Sequence, residues 1–157
     1  MEDEITALVE RIGSAAGGSE VRVACAESLT SGQIASALGA GESSSDWFAG
    51  GVVAYHREAK YRALGVERGP VVCETAAAQM AAGVAELMGA DIAVSVTGVG
   101  GPDEQDGQPV GTVYLGVTTP KRGYVQQHRF HGDPGEILEA TKRQALIALA
   151  EAVESDD

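Results

Sequence analysis

The chain is poor in lysine, in cysteine and in long apolar runs. Only three of its 157 residues are lysine, at positions 60, 121 and 142, whereas arginine occurs eight times. Its two cysteines form no C-x-x-C pair, which favours reduced thiols over a disulfide framework. No apolar run reaches the ~18 residues that a membrane span needs, and the N-terminal segment is acidic, unlike a signal peptide. We therefore expect a cytoplasmic protein.

Basic residues of both kinds are outnumbered by acidic ones. Asp and Glu total 23 against 11 for Lys and Arg, which gives a formal net charge of -12. A surface of that sign repels nucleic acid and anionic lipid, so neither is expected as a partner. Acid-rich and lysine-poor composition is also typical of proteins adapted to salt, where ions screen the self-repulsion. We interpret the charge as a property of the environment and expect a small-molecule ligand.

Helical patterns alternate with short apolar runs along the whole chain. The predicted helices cover residues 4–16, 30–38, 57–64, 74–88 and 137–153, and the predicted strands cover 21–26, 51–55, 91–97, 110–118 and 124–130. The last two strands form a hairpin around Thr119–Gly123. This order predicts an α/β sandwich in a single domain spanning 1–157, with a frayed tail at about 154–157.

Serines, one tyrosine and one lysine gather between Glu27 and Lys60. A neutral serine is a weak nucleophile and needs a neighbouring base. Lysine can be that base if burial or a nearby charge lowers its pKa. A lysine in a lysine-poor chain is therefore a candidate functional group. Two simpler interpretations stay open: Lys60 on a solvated helix face, and Ser43–Ser45 as caps of a short turn.

Five ordered motifs make the chain resemble the CinA C-terminal domain family, whose active members are nicotinamide mononucleotide (NMN) amidases, the PncC type. Ala26–Gly32 is similar to the family's Ala-Glu-Ser-Cys-Thr-Gly-Gly, Ser43–Phe48 to its Gly-Ser-Ser-x-Trp-Phe, and Gly51–Lys60 to its Gly-x-Val-x-Tyr-x-x-x-x-Lys. Thr97–Pro102 is similar to its Thr-Gly-Ile-Ala-Gly-Pro, and Gln108–Val113 to its Lys-Pro-Val-Gly-Thr-Val. Each motif is weak alone, but the ordered set is specific and covers nearly the whole chain. The resemblance implies a three-layer α/β/α sandwich with a mixed, mostly parallel sheet.

The same resemblance implies a catalytic set. The family's nucleophile aligns with Ser45, its catalytic lysine with Lys60 and its catalytic tyrosine with Tyr55. The roles would be attack by Ser45, proton acceptance by Lys60, and proton relay or orientation of the lysine by Tyr55. From the sequence alone, a half-buried tyrosine at a strand end is the commoner case for Tyr55. The resemblance implies no metal or organic cofactor, and it suggests a homo-oligomer.

A second group of residues is predicted to bind substrate. Ser28 and Thr97 match family positions associated with the substrate, and both follow predicted strands, where α/β sheets place ligands. The glycine-rich turn after Thr97 can approach a ligand closely, or it is an ordinary loop. The full predicted set is Ser28, Thr30, Ser44, Thr97, Gly98, Gly101 and Arg143.

The chain also departs from the family pattern. The family's Gly-Asp-Arg and following Ile-Arg correspond to Gly132–Pro134 and Ile137–Leu138, so two arginines that could hold a phosphate are absent. Arg143 lies further along the same predicted helix as a substitute. Two alternatives to NMN hydrolysis therefore stay open: a nucleotide-binding module without turnover, and an amidase for a less phosphate-dependent substrate. The acidic loop 103–106 fits no calcium motif and is interpreted as a solvated loop.

Overall fold

The structure, a computed structural model that describes residues 2–155, contains five α-helices and one five-stranded sheet within those residues. In chain order the elements are α1 (Glu2–Ser19), β1 (Val23–Glu27), α2 (Gln33–Gly39), a 3-10 turn (Ser44–Asp46), β2 (Phe48–Val53), α3 (Arg57–Leu64), α4 (Glu74–Met88), β3 (Ile92–Gly98), β4 (Thr112–Thr118), β5 (Gly123–Arg129) and α5 (Pro134–Ser155). The predicted α/β/α sandwich with a mixed sheet is confirmed.

The strands are ordered β2-β1-β3-β4-β5 across the sheet. Strand β1 pairs in parallel with both β2 and β3, whereas the β3–β4 and β4–β5 pairs are antiparallel. Four of the five strands therefore run in one direction, although the ladders divide evenly between the two types. The carboxyl ends of β1, β2 and β3 meet at one edge, where ligands bind in open α/β sheets.

Both faces of the central strands are covered, which explains why their apolar residues run without alternation. On one face Val23 and Cys25 pack with residues of α1, α2 and α5. On the other, Ala24 and Ala26 pack with residues of α3 and α4. The largest core cluster lies on the first face, where α5 contributes Leu146 and Leu149, both fully buried.

Three predicted helix limits were wrong by three residues, and two of them have a local reason. Helix α1 continues through the predicted stop at Gly17 and Gly18 and ends at Ser19, before Glu20, which takes the left-handed conformation at φ 57°. The N–H of Val21 then donates to the carbonyl of Ala16, a bond typical of a left-handed helix end. Helix α2 starts at Gln33 rather than Thr30, because the preceding residues form a turn that ends at Gly32.

The remaining elements lie close to their predictions. Helices α3 and α4 have the predicted limits, and α4 ends at Gly89 in the left-handed conformation that favours glycine. Strand β2 begins three residues earlier than predicted and ends two residues earlier. Helix α5 is the exception at its start, because it begins at Pro134, three residues earlier than predicted. At the C-terminus α5 runs through Ser155, so the first two residues of the predicted frayed tail are helical; the other two lie outside the described residues.

Candidate active site

A cavity of about 270 Å³ opens at the carboxyl ends of β1, β2 and β3. Ser28 follows β1, Tyr55 follows β2, and the glycine-rich loop Gly98–Gly101 follows β3. The acidic loop, through Asp103, and the start of α5 complete the wall. The segments that follow β1, β2 and β3 therefore line one site. Two of them, at Ser28 and at Gly98–Gly101, are predicted to bind substrate.

Lys60 lies beneath this wall and is 2% exposed, so the interpretation as a solvated surface lysine is wrong. Its Nζ donates hydrogen bonds to the carbonyl oxygens of Ala54, at 2.9 Å, and Tyr55, at 3.1 Å. Helix α3 carries it on the inner face, one turn after His56, whose ring accepts a hydrogen bond from the N–H of Glu58 at the helix start. The ammonium is therefore one hydrogen bond away from the backbone of a cavity-lining residue.

The electrostatic surroundings of Lys60 favour its neutral form. Burial and, to a smaller extent, the positive charge of Arg57 lower the pKa of Lys60 to about 8, and only Asp106 opposes them. No carboxylate lies within ion-pair distance of its Nζ in the part of the chain that is described. A lysine with this pKa is partly neutral near pH 8, as a general base must be.

Asp106 ties the acidic loop to the site, which the prediction of a solvated loop missed. Its carboxylate accepts hydrogen bonds from the N–H groups of Val71 (2.8 Å) and Val72 (3.1 Å) and from the Arg57 guanidinium (3.1 Å). Burial raises the pKa of Asp106, but these bonds outweigh it and leave the pKa below its ordinary value. The loop thereby holds Arg57 in place beside Lys60.

Tyr55 and Ser28 present side chains to the cavity. Tyr55 is 67% exposed, so it is not the half-buried strand residue that was the alternative. Ser28 is 7% exposed and lines the same wall. The Ala54 N–H donates to the carbonyl of Glu27. Tyr55 follows Ala54 and Ser28 follows Glu27, so these two residues leave the sheet side by side.

Two predicted substrate-binding hydroxyls make internal hydrogen bonds in the structure. Thr97 Oγ1 donates to the carbonyl of Val71 at 2.6 Å, and Thr30 Oγ1 donates to the carboxylate of Glu27 at 2.6 Å. Both threonines are at most 1% exposed and neither lines the cavity. The neighbouring predicted residues Gly98 and Gly101 do line it.

The buried carboxylate of Glu27 is not predicted from the sequence. It is fully buried and accepts hydrogen bonds from the Thr30 hydroxyl and from the N–H groups of Ile34 (3.0 Å) and Ala35 (2.8 Å) at the start of α2. A carboxylate at a helix start satisfies amides that have no partner inside the helix. It shapes the turn that carries Ser28. The available signal was an acidic residue at the end of an otherwise apolar strand.

The serine turn lies at the other end of β2. Ser44 Oγ donates to the carbonyl of Gly39, and the carbonyl of Trp47 accepts from the N–H of Val23 at the start of β1. Ser45 is exposed in this turn. Because β2 spans six residues at ~3.3 Å each, the turn lies roughly 20 Å from the end of the strand that leads to Lys60. Within one chain, Ser45 and Lys60 are therefore not brought together.

Arg143 is also separated from the cavity. Its guanidinium pairs with Glu4 of α1, and it does not line the cavity wall. Within residues 2–155 no three His, Cys, Asp or Glu side chains converge as metal ligands. No helix among these residues has the length and apolar character of a membrane span.

Fold and site together define an α/β/α sandwich protein with a polar cavity at the carboxyl ends of its parallel strands. The CinA C-terminal domain model matches residues 5–153, and the chain belongs to that family.

Relatives in sequence and structure agree with this. Protein YdeJ of Escherichia coli K12 is 35% identical over 94% of this chain and 89% of its own length. A putative competence-damage inducible protein of Halothermothrix orenii is 43% identical over 94% of this chain, but this covers only 37% of that longer protein.

Solved structures extend the agreement to the whole fold. The crystal structure of the competence damage-inducible protein A (ComA) from Klebsiella pneumoniae superposes with a TM-score of 0.92, 31% identity, and coverage of 98% of this chain and 99% of that one. The crystal structure of the competence/damage inducible protein CihA from Agrobacterium tumefaciens gives a TM-score of 0.87 at 34% identity, with 93% of this chain and 95% of that one covered.

Proposed function

We propose that the chain is an amidohydrolase that hydrolyses the carboxamide of nicotinamide mononucleotide to nicotinic acid mononucleotide and ammonia. The observation that carries the proposal is Lys60, buried, held by two backbone carbonyls, and with a pKa lowered to about 8. Perturbed titratable groups beside a cavity are typical of catalytic sites. The resemblance to PncC-type amidases supplies the reaction.

The chemistry would follow the route of serine amidases. A serine hydroxyl attacks the carboxamide carbon while Lys60 accepts its proton, and the tetrahedral intermediate then expels ammonia with return of that proton. Water hydrolyses the resulting acyl-enzyme and releases the carboxylic acid and the free serine. Tyr55, at the cavity wall, would relay the proton or orient the lysine. No metal enters these steps.

The family alignment assigns the nucleophile to Ser45, and we keep that assignment as part of the proposal. Ser28 is the competing candidate, because it lines the same wall as Tyr55 whereas Ser45 lies at the far end of β2 within one chain. Comparing Ser45→Ala with Ser28→Ala separates the two. Loss of ammonia release in the first variant and retention in the second supports Ser45.

A second candidate substrate class follows from the cavity wall. Among the described residues no Lys or Arg side chain lines it, and Asp103 contributes a negative charge. Phosphate binding commonly uses Arg or Lys beside backbone N–H groups. An amide without a phosphate is therefore the second candidate for hydrolysis.

Ammonia release from NMN, compared with nicotinamide riboside, tests both candidates. It is measured at ~0.1 M and at molar salt, because acidic repulsion is screened over ~10 Å and ~3 Å respectively. Faster release from NMN supports the proposed function, and faster release from the riboside supports the second class. Binding of NMN without ammonia release at either salt concentration would identify a binding module instead.

A further inference from the structure

One side chain of the acidic loop is held inside the fold while its neighbours are exposed. Asp103 and Gln105 are exposed and line the cavity. The Asp106 side chain is only 11% exposed, and its carboxylate accepts hydrogen bonds from the N–H groups of Val71 and Val72. The loop that walls the cavity is therefore fastened, through Asp106, to the segment that precedes α4.

A tight turn presents this carboxylate. Asp106 and Gly107 both have positive φ, 52° and 74°, and the backbones of Gln105 and Gln108 exchange two hydrogen bonds across them, at 3.2 and 2.8 Å. Asp-Gly is a favoured pair for two-residue turns with positive φ at both positions. The local backbone thus holds the carboxylate in place together with its partners.

Hydrogen bonds continue from Asp106 in two directions. On one side, Val71 is itself tied to β3, because Thr97 Oγ1 donates to its carbonyl at 2.6 Å. On the other side, Arg57 donates to the second carboxylate oxygen at 3.1 Å, and Arg57 lies in the first turn of α3. One chain of contacts therefore runs from the end of β3 to the helix that carries the proposed base.

We propose that Asp106 is a positioning residue, which fastens the cavity-lining loop to α3 through Arg57, and that Thr97 acts on the site through the same chain of hydrogen bonds rather than by contact with substrate. The inference rests on the proposed function. It gives a role to a threonine whose hydroxyl is used internally and to the one half-buried carboxylate of the acidic loop.

The two charges of this link act on Lys60 in opposite directions. Burial lowers the pKa of Lys60 most, Arg57 lowers it further, and Asp106 raises it. The nearby carboxylate of Glu58, also on α3, pairs instead with two largely exposed arginines. Removing one member of the Arg57–Asp106 pair should therefore shift the pKa of Lys60, and removing both should largely restore it.

Asp106→Asn tests the tie to α3. The amide oxygen can keep the hydrogen bonds from segment 71–72, while the NH₂ group faces Arg57 and cannot accept from it. We expect the pH at half-maximal kcat to fall, opposite to Arg57→Gln, and the double variant to return close to the wild-type midpoint. Glu104→Gln, at an exposed carboxylate of the same loop, is the matched control. An unchanged or raised midpoint in Asp106→Asn overturns the inference.

Asp106→Gly tests the anchor, because glycine takes the positive φ without strain. The amides of Val71 and Val72 should exchange with solvent roughly 10-fold faster or more. With the cavity wall released, KM should rise on the order of 10- to 100-fold with a smaller change in kcat. Adding Thr97→Val should make kcat/KM little worse, since both changes break one chain of contacts. Additive losses, as expected for a hydroxyl that contacts substrate, overturn the inference.

Two of these readouts need no turnover: the amide exchange, and the titration of Lys60 followed by NMR. If both respond as expected but the wild type releases no ammonia, the proposed function fails and the link from the loop to α3 stands. Unchanged exchange at Val71 and Val72 in Asp106→Gly overturns the link whatever the activity.

Discussion

Hydrogen-bonded polar groups surround the carboxyl end of β2, whereas its amino end carries an exposed serine turn. At the carboxyl end Lys60, Glu27 and Asp106 each hold two or more hydrogen bonds, most of them to backbone atoms. At the amino end Ser44 makes one bond to a carbonyl, and Ser45 is exposed.

The difference shows at which end of β2 the side chains are held in a fixed geometry. A base must be desolvated and held in place, so it needs a structured interior. The proposed base is therefore held in place by the fold, whereas the proposed nucleophile Ser45 lies on an exposed turn.

The largest effect should follow from Lys60→Met, which keeps the side-chain volume and removes the base. Ammonia release from NMN should fall by roughly 10³-fold or more, as for members of a catalytic unit. Ser45→Ala should lose about as much, and the double variant should be little worse than either. Lys142→Met, at a lysine paired with Glu139, is the control. Near-normal turnover in Lys60→Met would contradict the role of the carboxyl end.

A smaller loss should follow from Tyr55→Phe. If the hydroxyl relays a proton or orients the lysine, kcat should fall on the order of 10²-fold while KM changes little. Tyr124→Phe on β5 is a matched control, since its ring lies under Arg122 and away from the cavity. Equal kinetics for the two variants would remove Tyr55 from the mechanism.

The two ends should also differ in stability. In the wild type the Glu27 carboxylate accepts hydrogen bonds from backbone N–H groups, and in Glu27→Gln an amide NH₂ would face these donors. The substitution should therefore lower the free energy of unfolding by about 2–3 kcal/mol. Ser44→Ala, which removes one exposed hydrogen bond at the amino end, should cost about 0.5–1 kcal/mol. Urea unfolding measures both. Equal losses would mean that the carboxyl end is not the more strongly ordered one.

The mildest change should come from Arg57→Gln. Removing this positive charge raises the pKa of Lys60, and Asp106, which also loses a partner, acts in the same direction. Since the neutral lysine is the active form, activity should rise with pH through about 8 in the wild type and at higher pH in the variant. Arg62→Gln, at a largely exposed arginine, should leave the profile unchanged. A downward shift in Arg57→Gln would be the wrong sign.

Much of the fold could be predicted from the sequence because its signals are local. The limits of α3 and α4 follow from the Leu64-Gly65 and Met88-Gly89 junctions, where glycine ends each helix in the left-handed conformation. The start of α2 could not be predicted, since it depends on the buried carboxylate of Glu27, a contact that helix propensity does not include.

The site could be predicted only in part, for a similar reason. The order of the motifs indicates which residues matter, but it does not indicate at which end of a strand they lie. Ser45 and Tyr55 are ten residues apart in sequence, and the intervening strand puts them at opposite ends of the sheet. Thr30 and Thr97 belong to recognised motifs, yet their hydroxyls serve internal bonds that only the tertiary structure defines.

The state of Lys60 is the central claim, and its titration can be measured directly. With three lysines in the chain, isotope labelling of lysine side chains gives three sets of NMR signals. The set that disappears in Lys60→Met belongs to Lys60. We predict that it titrates with a pKa of about 8. A midpoint near 10.5, the ordinary value for lysine, would contradict the assignment of Lys60 as the base.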